Sequence, residues 1–162
     1  MGYTSRMDSR TSILVDDSLW PLLRVTFPSV ITNEQHKDLL ERRLFYLQRR
    51  ERHVSLIDMR QLRSLTSEQR ELQTAFLRQQ EDLMNQWSMG VMTVTNSPVL
   101  ALMVRLLIHR IRPSVIPYSI LASWPAAVSW VVDRLEADGL SEHARRVRQC
   151  LGSSCAGERT EP

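Results

Sequence analysis

Short runs of β-branched and aliphatic residues alternate along this chain with longer segments whose apolar residues recur every three or four positions. That alternation constrains the fold more than any other feature, because strands separated by helical connections pair as parallel neighbours beneath helical cover. The first two runs, Ile13-Leu14-Val15 and Leu22 to Phe27, are too close for a helix to intervene. They predict an opening hairpin, with turn chemistry at Asp16-Asp17-Ser18 and Pro21 at a strand start or edge. Thr32 or Asn33 can cap a helix running to about Arg50, with a Leu40, Leu44, Leu47 stripe.

His53 to Asp58 reads as a compact strand. One helix follows from about Glu68 to Trp87, on a stripe of Leu72, Phe76, Leu83 and Trp87. Gly90 breaks it, and Val91 to Thr95 is a strand. Asn96 or Ser97 caps a helix from Pro98 to Ile111, which Arg112-Pro113 ends. Tyr118 to Ala122 is the last strand. A helix capped by Ser123 follows, with Val128, Val131, Val132 and Leu135 on one stripe and Gly139 as its stop. The expected architecture is α/β: a mixed four- to five-stranded sheet covered by helices, in the order β-β-α-β-α-β-α-β-α. Residues 1–11 read as a disordered leader, 12–137 as the domain, and 138–162 as a C-terminal helix (Ser141 to Leu151) with a disordered tail.

Three segments resemble the STAS domain, the sulphate transporter and anti-sigma-factor antagonist family. His53-Val-Ser-Leu-Ile-Asp58 resembles its central strand. Gly90 to Pro98 resembles the strand-then-cap segment, and Pro117 to Trp130 resembles the last strand and closing helix. The resemblance covers residues 12–137 and implies a non-enzymatic regulatory module that binds a protein partner. A related branch implies a carrier or sensor of an apolar, lipid-like ligand. The resemblance also places Ser67 at a phospho-acceptor position. There the family's Asp-Ser-Ser-Gly is replaced by Thr66-Ser67-Glu68-Gln69.

Composition narrows the function classes. The 162 residues carry a formal net charge of +3, less than dedicated nucleic-acid binders concentrate, which argues against that partner. Lys37 is the only lysine among 21 basic residues, a bias expected of a GC-rich bacterial genome. Cys150 and Cys155 form no metal-binding pattern with histidine, and two reduced thiols fit a cytoplasmic protein. No signal peptide is expected, and no apolar run reaches membrane-spanning length. No catalytic motif, metal ligand set or cofactor loop is present, so neither enzyme chemistry nor a cofactor is expected.

Four groups of candidate residues remain. Thr66 and Gln69 form a capping box, a structural role compatible with phosphorylation at Ser67. Asp58, Asn96 and Ser97 fall at the carboxyl ends of parallel strands, where α/β sheets hold ligands; local backbone bonding is the plainer role for Asp58. Arg42, Arg43, Arg49 and Arg50 make a basic patch, either a solvated face or an acidic partner's footprint. On the helix after Pro98, Leu100, Val104, Leu107 and Ile111 suffice for packing, with Met103 and Ile108 beside them. That leaves Val99, Leu102 and Leu106, edged by Arg105, either for neighbouring elements to cover or for self-association, such as a homodimer, or another partner. His109 reads as solvated and Trp20 as an exposed contact; Trp87, Trp124 and Trp130 read as anchors in or near the core.

Overall fold

The computed structural model describes residues 11–110 and 116–152. The expectations for residues 1–10, for Ile111, for Arg112-Pro113 and for the tail with Cys155 lie outside them. The fold is α/β, with five strands and six helices among the described residues: β1 (Leu14–Leu19), β2 (Leu22–Thr26), α1 (Asn33–Gln48), β3 (His53–Asp58), α2 (Ser67–Gln79), α3 (Glu81–Trp87), β4 (Ser88–Val94), α4 (Pro98–Arg110), β5 (Tyr118–Leu121), α5 (Trp124–Ala137) and α6 (Ser141–Gly152). The strands lie side by side in sequence order. β1 pairs antiparallel with β2, and every later neighbour is parallel.

The sheet separates two apolar layers. On one face Leu22, Val54, Leu56, Met92 and Val94 pack with Val128, Val131 and Leu135 of α5 and with Ala144, Val147 and Leu151 of α6. On the other face Val25, Phe27, Ile57 and Val91 meet Leu39 of α1 and Leu100 and Val104 of α4. A satellite cluster of Leu40, Leu47, Phe76 and Met84 joins α1, α2 and α3. With both faces covered, β3 and β4 are buried nearly throughout.

Several expectations change in detail. β1 runs through Asp16-Asp17-Ser18 to Leu19. The Asp16 carboxylate accepts from Ser18 N at 2.8 Å, where the β1–β2 register shifts, so the polar turn chemistry serves an edge irregularity. The expected long helix breaks at Gln80 (φ −104°, ψ 13°), leaving α2 and α3 as separate pieces. The backbone hydrogen bonds Gln80 N to Phe76 O and Met84 N to Gln80 O bracket the break. β4 begins three residues earlier than expected, at Ser88, so Gly90 lies inside it. A Cβ on Gly90 would sit 2.7 Å from Trp130 Cη2, which explains glycine there: α5 packs directly on the strand backbone. α6 shares the α5 core, so the packed body extends past the expected boundary at residue 137 to Gly152.

The candidate functional site: a cavity between sheet and helices

α1 is fixed by a complete capping box: Thr32 accepts from Gln35 N, and Gln35 returns the bond to Thr32 N. From that start, His36, Leu40, Arg43 and Leu47 fall on one stripe of the helix. His36, Leu40 and Leu47 are buried, and Arg43 is half-buried beside them.

Between this helix and the sheet lies a cavity of about 470 Å³. Its floor is formed by Phe27, Ile57, Val91, Thr93 and Tyr118. Leu77 of α2 and Met84 of α3 add wall, and α4 contributes Val104, Leu107 and Ile108. Asn85 and His109 also line it and are exposed. The space opens to solvent, so it holds water or a ligand, and its mostly apolar walls favour a ligand.

The polar groups in this apolar setting are few. The Tyr118 hydroxyl lies 2.7 Å from Thr93 Oγ1. Burial pushes the Tyr118 phenol up to about 12, so it stays protonated at neutral pH. His36 Nε2 lies 3.2 Å from Gln73 Oε1, while its Nδ1 is buried with no partner. Desolvation lowers the His36 pKa, partly opposed by the Gln73 bond and aided by the nearby Arg43 charge, so the ring is neutral. The Arg43 guanidinium lies over the Phe76 ring at 5.4 Å. Among the described residues it forms no salt bridge. Desolvation lowers its pKa too, although an arginine stays charged.

Asp58 is engaged by Arg60, which donates from its backbone N (3.0 Å), Nε (3.0 Å) and Nη2 (2.8 Å) and lies over Trp124. Ser97 caps α4, accepting from Leu100 N at 3.2 Å; Asn96 is exposed. Thr66 and Gln69 form the capping box of α2, and Ser67 is exposed, accepting from Arg70 Nη2 at 2.9 Å. The four arginines do not form one patch. Arg42 pairs with Asp38, Arg49 pairs with Glu51 and stacks on Trp20, and Arg43 turns inward to the cavity. Arg50 is exposed with φ 56°, past the end of α1. Trp20 is no free contact: it stacks on Tyr46 and His53 and donates to Glu51 at 2.8 Å.

The flank of α4 is open to solvent: Val99 is 70%, Leu102 56% and Leu106 55% exposed, with Arg105 exposed beside them. His109 is exposed, as expected, though it also touches the cavity. The sequence pattern does not single out His36 or Tyr118, and it assigns Arg43 to the basic patch and not to a cavity. The available signal was spacing: Arg43 stands three residues after Leu40 and four before Leu47, on the stripe that buries them. Among the described residues no cluster of metal-ligating side chains occurs, and no helix is long and apolar enough to cross a membrane. In comparisons with known proteins, no family model, curated protein or solved structure gives a significant match to this chain.

Proposed function

We propose that this chain is a non-enzymatic, STAS-like module that binds a single apolar ligand in the cavity beneath α1 and α4. The observation that carries the reading is the 470 Å³ space, walled mainly by apolar side chains. Its volume falls in the range of small-molecule sites, and its few polar groups are of the kind that orient a ligand. The STAS-like part of the reading is supported by the opening hairpin and the mixed five-stranded sheet. The divided α2–α3 segment departs from the expected order.

The test uses aminoanthracene, a neutral apolar fluorophore, with dodecanol as competitor. The proposal expects saturable binding at one site, displaced by dodecanol and weakened at least ten-fold by Val104→Phe, which fills the cavity while the protein still melts cooperatively. Absence of saturable binding to the folded wild type would reject it.

A second reading, a protein-interaction surface, is favoured by the exposed Val99, Leu102 and Leu106. Its test is the double change Leu102→Ser with Leu106→Ser. Both side chains are exposed, so the variant should fold, and light scattering then reads whether self-association is lost.

A further inference from the structure

Resting on the cavity reading, we propose that the ligand is a single-chain carboxylate whose head group is held by Arg43, with the Tyr118 hydroxyl as a second donor. Arg43 lines the cavity and has no ion pair among the described residues. A guanidinium kept in apolar surroundings without a counter-charge is costly unless a ligand supplies one.

The neighbouring groups fix the sign and valence. Tyr118 also lines the cavity and lies close enough to Arg43 for their charges to interact. His36, neutral and on the Arg43 stripe, adds no charge. Arg43 with its neutral neighbours Tyr118 and His36 supplies one cation, which matches a monoanion; Glu81, the carboxylate of the lining, forms no salt bridge with Arg43, so the guanidinium is not neutralised from within, and its charge adds to the cost of a dianion. A planar carboxylate also suits the guanidinium fork. The aliphatic walls and the limited volume suit one alkyl chain.

Calorimetric titration of the full chain at pH 8 compares dodecanoate, dodecanol and dodecyl phosphate. The expected result is dodecanoate binding roughly ten- to a hundred-fold more tightly than dodecanol, the range of a charge-assisted hydrogen bond. Dodecyl phosphate should bind more weakly than dodecanoate. Arg43→Met should erase the preference for dodecanoate while leaving dodecanol binding intact. Equal binding of dodecanoate and dodecanol to the wild type, which needs no variant, overturns the carboxylate assignment and leaves the cavity reading standing. Tighter binding of dodecyl phosphate replaces the carboxylate with a dianion and overturns it equally. Binding of none of the three rejects the cavity reading itself.

Discussion

The Tyr118 hydroxyl and Thr93 Oγ1 stand 2.7 Å apart on adjacent strands, at the floor of the cavity. They are not register partners, since Thr93 pairs with Ile120, so the bond runs diagonally across the β4–β5 ladder. It ties the edge strand to the sheet where a ligand would rest.

Tyr118→Phe should cost about 1 kcal/mol, the net worth of one hydrogen bond. It should also change the alkaline limb of stability. The folded phenol sits at about 12 against its ordinary 10, so its contribution is complete below pH 10 and fades as pH rises through 12. Tyr46, raised in the same direction, adds to that slope. Denaturant unfolding across this window should show a shallower fall for the variant than for the wild type; identical slopes would mean that Tyr118 is solvated.

Acid stability should report His36 and His53. Both are lowered from 6.5, first by desolvation, so the native state excludes protons that the unfolded chain binds. Stability is therefore greatest above 6.5 and falls as pH drops below it toward the lowered native values. Asp16 and Asp138, lowered from 3.8 by hydrogen bonds to Ser18 and Arg52, lose their contributions only in a more acidic window. Replacing both histidines with glutamine should flatten the slope just below 6.5 and leave the lower one. An unchanged profile there would contradict the buried neutral rings.

Gly90→Ala should destabilise by about 1–3 kcal/mol through overpacking. The added methyl would meet Trp130 Cη2 at 2.7 Å and the Pro117 carbonyl at 3.0 Å, at a φ of 153°. Trp130 can shift, but the Pro117 carbonyl is backbone and accepts from Val91 N. Chemical denaturation measures the loss, and an unaltered midpoint would show that α5 can move away.

Thr66→Ala should cost about 1 kcal/mol by removing the side-chain cap of α2. Ser67→Asp should leave stability nearly unchanged, because Ser67 is exposed in the first helical turn, where an acidic group is tolerated. Thermal melting separates the two. Equal losses would mean that Ser67, through its bond with Arg70, matters as much as the cap.

Much of the fold was legible because period and punctuation agreed. β3 was read at its observed limits, His53 and Asp58, from a compact apolar run between polar flanks. The caps Thr66 and Ser123 were read from local chemistry that tertiary contacts do not alter. The Gln80 break carries no glycine or proline, so no local signal marked it. The cavity was illegible for a different reason. Apolar residues that line a hole follow the same periodicity as residues that fill a core, so Val104 and Leu107 looked like ordinary packing. In sequence Arg43 falls among charged neighbours, but helical geometry separates it from Arg42 and places it with Leu40 and Leu47.

Titration of dodecanol into methyl-labelled protein, followed by nuclear magnetic resonance, reads whether the space beneath α1 and α4 holds a ligand. Leu39, Ile57, Val104 and Leu107 line the cavity, whereas Val128, Val131 and Leu135 pack on the far face of the sheet. The first group should shift and saturate at one equivalent while the second stays in place. Shifts confined to the exposed Val99, Leu102 and Leu106, or no saturable shift at all, would contradict it.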